Sequence, residues 1–346
     1  MKKAMVLLIG LCSLCLGFGI FYDYSIKDSE KDSMTERSVF AMDTYMNLRV
    51  YGKNTEETIS LACDRIKELE DLLSVTKEGS DIWQINHADG ETVSVSEDTI
   101  NILNTAVLVG EETQGTLDIT LYPVLKEWGF TTQEYQIPKQ ERLQELLTYV
   151  DYRRINIQGT QVSVPKETEL DCGALAKGYT SDQILKILKE NNIKSALINL
   201  GGNIHMLGTK PDGSLWKIGI RNPFEDSGEM CILSASDCAV ITSGNYERYF
   251  IGEDGKQYCH ILDASNGYPA DNGLVSVTII GESGIFCDAF STAFFAAGME
   301  EAVAYWRKKQ NFEMVLVTTE KKIYITEGIK DNIRNVSEMT VDIINK

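Results

Sequence analysis

Between Tyr45 and Val50 polar and apolar residues alternate. Met46, Leu48 and Val50 lie on one side, Tyr45, Asn47 and Arg49 on the other, so SVFAMDTYMNLRVYG predicts a half-buried strand opening the body. The period then becomes helical. After Asn54, with Glu57 as its capping partner, Ile59, Ala62, Ile66, Leu69 and Leu73 share one face. A loop and short helix, SVTKEGSDIWQINHA, carries His87 as a surface residue. Ser96 starts a second amphipathic helix with Ile100, Leu103, Val107 and Leu108, which Gly115 ends. Residues 141–149 predict a helix with Leu143, Leu146 and Leu147 inward. Ile155 and Ile157 then face Val162 and Val164 across QGTQ as a hairpin.

The chain next reaches ELDCGALAKGYTSD, residues 169–182, a strand end, a glycine-bearing turn and the start of a helix. Free N–H groups at such a junction hold anions, and Asp171 and Lys177 add metal or phosphate chemistry. An Asp before a helix is equally a plain N-cap, and the residues alone leave both readings open. Further on, strand SALINL breaks into Gly201 and Gly202 before Asn203, which suggests close approach by a ligand or another backbone. No GxGxxG or GxxxxGK phosphate loop is present. In TLDITLYP, Asp118 and Thr120 fit a capping turn as well as a site. Strand WKIGIRNP precedes CILSASDCAVITSGNYERYF, and QYCHILDASNGYP then sets His260 three residues before Asp263. In GIFCDAFSTAFFAAG, Asp288 and Thr292 are four apart, so one helical face presents two oxygens to a hard cation, or an acid simply sits near a helix start. LVSVTII, FEMVLVTT and KKIYIT read as strands. Because tight hairpins recur among interleaved strands and helices, the fold class is α+β with mixed or antiparallel sheets and packed helices.

Composition narrows the function. With 33 basic and 51 acidic residues, a formal charge of −18 repels nucleic acid. A polyphosphate ligand therefore needs a positive field built locally from backbone N–H groups, a few Lys or Arg, or a divalent metal. Lys2 and Lys3 precede an apolar run from Ala4 to Tyr22, so residues 1–22 read as an export signal or membrane anchor, 23–37 as a polar tether and 38–346 as the body. The basic flank places that body outside the cytoplasm. Lipidation at Cys12 or Cys15 ranks below anchoring, because Leu11 and Leu14 stand where a small residue is usual. Six of the 8 Cys lie beyond the leader, an even count that permits disulfides in an exported chain, but with no CxxC pair or zinc spacing they read rather as small buried thiols.

AMDTYM, GTLDIT, LDCGALAKGYTSD, NLGGN, TSGNYERYF, HILDASNGYP and CDAFSTAFFAAG, taken in order, resemble the FAD:protein FMN transferases, the ApbE family. The resemblance runs from about Val39 to about Val317. It implies two interlocked α+β parts with the active site in their cleft. The implied reaction joins the FMN half of FAD, through a phosphoester, to a Thr or Ser of a membrane-associated or exported electron-transfer protein, releasing AMP with Mg²⁺ as metal. By the same similarity Asp288, Thr292 and the Ala174 carbonyl hold the metal, and His260 is the general base. Met42, Thr116, Leu117, Asp118, Asp171 and Lys177 contact FAD. Thr76 stands where many members have a stacking Tyr, and HILDAS replaces the more usual HIxDP. Two other readings fit: an FAD pyrophosphatase giving FMN and AMP, and an exported flavin-binding protein without turnover. No acceptor-like Gly-Ala-Thr segment occurs, so the acceptor is expected to be another protein.

Overall fold

The computed structural model describes residues 33–225 and 227–346. Residues 1–22, read as signal or anchor, and the first part of the tether lie outside the described residues. The rest of the tether reading is corrected, since residues 33–37 are the first half of a strand. Strand β1 (Ser33–Ala41) pairs antiparallel with β2 (Thr44–Gly52). Its polar residues are bonded rather than solvated: Thr35 Oγ1 lies 2.7 Å from Thr55 Oγ1, and Arg37 donates to Glu56 at 2.9 Å.

Helices α1 (Thr55–Leu73) and α2 (Asp81–Asn86) follow, then β3 (Val93–Ser94), α3 (Glu97–Glu112), α4 (Tyr122–Glu127) and α5 (Gln140–Leu147). The hairpin β4 (Asn156–Gln158) and β5 (Gln161–Ser163) leads to α6 (Gly173–Glu190), β6 (Ser195–Leu200) and β7 (Asn203–Leu207). Next are β8 (Trp216–Arg221), β9 (Glu229–Ala235), β10 (Ala239–Gly244), β11 (Tyr249–Ile251), β12 (Gln257–Cys259) and β13 (Leu274–Gly281). Helices α7 (Gly284–Ala297) and α8 (Met299–Lys309) precede β14 (Glu313–Thr318), β15 (Lys322–Thr326), β16 (Ile333–Asn335) and β17 (Thr340–Ile344).

Nine strands form one sheet in the order β1-β2-β6-β7-β10-β13-β14-β15-β17. Its pairs are antiparallel except the parallel β15–β17 pair, so the α+β expectation of mixed sheets holds. Successive side chains of a strand face opposite sides. Ile241, Val277 and Ile279 accordingly join a core with α3, α6 and α7, while Val240, Ile280 and Val315 pack against Trp216, Ile218 and Leu233 of the small β8-β9-β16 sheet. Residues between β10 and β13 leave the large sheet to pack on α4 and α5, where Trp128 Nε1 donates to the Gly267 carbonyl at 2.8 Å. This excursion interlocks the two halves of the chain. Among the described residues no helix is long and apolar enough to cross a membrane, and the six described cysteines are free thiols.

Two local readings differ from expectation. Asn54 is left-handed (φ 53°) and its side chain caps nothing, because Thr55 ties the start of α1 to β1 instead. In α3 the buried face is Ile102, Leu103, Ala106 and Val109, while Leu108 is 43% exposed. Gly110 explains the rotation: a Cβ there would stand 2.9 Å from the Tyr152 ring, so the missing side chain lets this face close inward.

The helices that build the site cross at two glycines. A Cβ on Gly178 would lie 2.3 Å from the Gly284 carbonyl oxygen and 2.7 Å from Asp288 Cβ. Neither neighbour is the mobile end of a side chain. Gly178→Ala should therefore cost about 3 kcal/mol of stability, an overpacking penalty that urea unfolding would read directly. A wild-type midpoint in that variant would contradict the close crossing.

Candidate active site

The junction at residues 169–173 is fixed from both sides. Leu121 bridges Glu169, and Asp171 N donates to the Ile119 carbonyl at 2.9 Å. Asp171 Oδ1 accepts from Gly173 N at 2.6 Å, so this Asp does serve the first helical N–H. Burial raises its pKa, and the charges of Arg248 and Lys177 oppose that rise.

Asp288 lies one turn into α7 and is 4% exposed. A carboxylate so placed needs partners. Oδ2 accepts from Gly178 N at 2.8 Å and Oδ1 from Asn203 Nδ2 at 2.9 Å. Its pKa is raised by burial, with Lys177, Gly178 and Asn203 all favouring the ionised form. In a regular helix the Gly178 N–H serves the Ala174 carbonyl, four residues back. That carbonyl has a second lone pair with which to accept or ligate. Thr292 Oγ1, on the same face of α7 as Asp288, lies 3.1 Å from Ser243 Oγ, which also sits 2.9 Å from Ser291 Oγ. The N-terminus of α7 is held by Asp182, whose carboxylate accepts from Gly284 N at 2.7 Å and Ile285 N at 3.0 Å.

His260 directly follows β12. Its backbone N–H and its Nδ1 both reach the Arg248 carbonyl, at 3.0 and 3.2 Å. A carbonyl only accepts, so Nδ1 carries the proton and Nε2 keeps its lone pair. Burial, followed by the charges of Arg248 and Lys177, pushes the pKa of His260 down to about 4. The Phe130 ring packs edge-on against the imidazole with centroids 6.3 Å apart.

Lys177 thus acts electrostatically on Asp171, His260 and Asp288 together, and Arg248 on the first two. Three remote stretches of chain converge. Met42 belongs to the same region: it occupies the β1–β2 turn with Asp43, both left-handed (φ 50° and 58°), and its sulfur lies 3.9 Å from Thr180 Oγ1 of α6. Non-glycine residues in that conformation carry strain, which clusters at ligand sites. Glu70 holds the turn by accepting from Met42 N at 2.6 Å.

Asp118 is differently disposed. Its Oδ1 accepts from Thr120 N and Oγ1 at 2.9 and 2.6 Å, and its Oδ2 from Tyr152 N at 2.9 Å, so its carboxylate is largely taken up by its own turn. Thr116 Oγ1 donates to the Thr113 carbonyl at 2.9 Å, and Leu117 is buried. This loop nonetheless meets the junction through Ile119. Thr76 is exposed beside Ser74 and offers no ring. His87 stacks on Trp83 at the surface, as expected.

The motifs contained three further residues that the sequence reading left without a role: Asn203, Ser243 and Arg248. Asn203 and Ser243 touch the proposed metal ligands, and Arg248 fixes His260 through its backbone. The signal was their presence in the quoted motifs, but their partners lie far away in sequence.

The candidate donors Asp288, Thr292 and the Ala174 carbonyl would combine one carboxylate, one hydroxyl and one backbone carbonyl. Among the described residues no group of three or more His, Cys, Asp or Glu is placed to hold a metal ion together. Hard oxygens of which only one is anionic suit Mg²⁺, which takes few protein carboxylates and shares substrate phosphates.

A family model described as the ApbE family matches residues 42–316. The FAD:protein FMN transferase of Klebsiella pneumoniae is 33% identical over 294 residues, spanning 84% of this chain and 90% of that protein. Its namesake from Treponema pallidum is 30% identical over 320 residues, spanning 86% and 88%. The crystal structure of the ApbE protein from Thermotoga maritima matches with TM-score 0.81 and 31% identity over 88% of this chain and all 100% of that one. The flavin transferase ApbE from Vibrio cholerae matches with TM-score 0.78 and 25% identity, over 87% and 99%.

Proposed function

The chain belongs to the ApbE family, and from that premise we propose that it is an FAD:protein FMN transferase working with Mg²⁺. The observation that carries this reading is the contact between the two site helices, where the Gly178 N–H, next to Lys177 on α6, meets the buried Asp288 carboxylate of α7 at 2.8 Å, with Lys177 near enough to Asp171 and His260 to bear on both. The acceptor is a Thr or Ser of another protein, a membrane-associated or exported redox protein. The N-terminal segment attaches the enzyme to the outer side of the cell membrane.

Asp288, Thr292 and the Ala174 carbonyl would hold Mg²⁺, which when bound neutralises pyrophosphate charge. Lys177 would add a fixed positive charge to the same group. The Met42 turn, the 116–118 loop and Asp171 orient the flavin and adenosine. His260 Nε2 takes the proton of the acceptor hydroxyl. The oxygen so freed bonds to the FMN-side phosphorus, the bond from that phosphorus to the bridging oxygen breaks, and AMP leaves with its electron pair. Gln or Asn is no substitute for His260 here, because the step needs a titratable nitrogen whose partner fixes the tautomer.

Incubation with FAD, Mg²⁺ and an exported redox protein of the same organism tests the reading. Flavin fluorescence should stay on the acceptor band in a denaturing gel, with AMP formed in equal amount. AMP release without a fluorescent band would point to a pyrophosphatase. FAD that co-purifies tightly and yields no AMP would point to a storage protein.

A further inference from the structure

Asn203 is built into the molecule with little freedom. It opens β7 directly after Gly201 and Gly202, whose positive φ values of 64° and 100° make the two-residue turn that pairs Leu200 with Asn203. A Cβ on Gly201 would lie 2.3 Å from Thr44 Oγ1, so the turn is seated against the end of the Met42 turn. The double glycine is thus a tight hairpin under Thr44, and the close approach expected there is made by another part of the chain.

Asn203 is 5% exposed, and its amide crosses 85 residues of sequence to reach Asp288 Oδ1 at 2.9 Å. Gly178 N–H holds Oδ2 from the α6 side at 2.8 Å. One donor on each oxygen, from two different elements, fixes the rotation of the carboxylate plane. Each oxygen keeps a second lone pair. An apolar or acidic residue at 203 would build the same hairpin but would leave Oδ1 without its donor.

We propose that Asn203 is a positioning residue for the metal-binding carboxylate: its amide holds Asp288 in the orientation in which that group coordinates the cation. This rests on the reading of Asp288 as a metal ligand. Groups that hydrogen-bond a ligating side chain set metal affinity by restricting the ligand to its coordinating geometry.

The test is Mn²⁺ binding to metal-free enzyme, read by electron paramagnetic resonance without FAD, alongside activity. In Asn203→Ala and in the near-isosteric Asn203→Leu the Kd for Mn²⁺ should rise about 10- to 100-fold. The Mg²⁺ concentration for half-maximal activity should rise by the same factor, while kcat at saturating Mg²⁺ and the KM for FAD stay close to wild type. Asn203→Leu fills the same space, so it reports on the donor even where Asn203→Ala is poorly folded. An Asn203→Leu affinity within twofold of wild type overturns the inference, as does lost activity that excess Mg²⁺ fails to restore. Asp288→Asn separates the two levels of argument. If that variant binds Mn²⁺ as wild type does, the metal-site reading itself fails. If it loses Mn²⁺ while Asn203→Leu does not weaken, the positioning role alone is wrong.

Discussion

Asp288→Ala should abolish AMP formation while leaving a folded protein. The carboxylate is the one acidic side chain in the proposed metal set, and it is buried with both oxygens bonded. Removing it takes away the anchor for a cation worth several kcal/mol of transition-state charge stabilisation. A loss of about 4 kcal/mol corresponds to roughly a thousandfold in rate. The structural cost is separate and smaller. The N–H of Gly178 and the amide of Asn203 lose their acceptor, about 1–3 kcal/mol for a buried donor that no water reaches. Helix α7 stays seated because Asp182 caps it and Phe290, Phe294 and Ala293 remain in the core. Turnover with FAD and Mg²⁺, scored as AMP, gives the rate. Circular dichroism gives the fold. Full activity in a folded Asp288→Ala protein would remove the metal argument, and with it the reason for grouping Ala174 and Thr292 with this residue.

The periodic parts of this chain were legible in its sequence, and so was the pairing of Asp288 with Thr292, because a four-residue spacing on a helix has one geometric meaning. The hairpin at Ile157–Val162 was legible for the same reason, since turn chemistry acts within a few residues, whereas the double glycine at Gly201–Gly202 signalled only a close approach and not the hairpin it makes. Helix α8 was not read, as its buried stripe reduces to Ala302 and Trp306. Strands β16 and β17 are short and mostly exposed, so the alternation that marks a strand is faint there. Gly178 looked like any helical glycine. Its meaning comes from Gly284, which crosses it from another helix. Arg248 was hidden more deeply, because besides its charge it gives His260 a backbone carbonyl, and a carbonyl leaves no trace in the choice of side chain. Sequence proximity therefore located the motifs, while the contacts that give Asn203, Gly178 and Arg248 their roles are long-range.

His260→Ala should lower FMN transfer by about a hundredfold to ten-thousandfold, the usual contribution of a general base, with the KM for FAD little changed. The pH dependence carries more information than the loss. In the free enzyme His260 has its pKa pushed to about 4 by burial and by the charges of Arg248 and Lys177. Nε2 is thus unprotonated above that pH, and acid removes the base only as the pH falls through it. At saturating Mg²⁺, kcat/KM should hold level through pH 6.5 and fall towards pH 4. Bound pyrophosphate places negative charge beside Lys177 and Arg248, which offsets the field that depresses His260 and moves its pKa up. A higher pKa also makes it the stronger base. The acid limb of kcat, which reports the complex, should therefore lie at higher pH than that of kcat/KM. His260→Ala should lose the limb from both profiles, and added imidazole should restore part of the rate. A limb near 6.5 in kcat/KM that persists in His260→Ala would mean that another group takes the proton. Failure of imidazole to rescue, together with an unchanged profile, would leave His260 a packing residue between Phe130 and the Arg248 carbonyl.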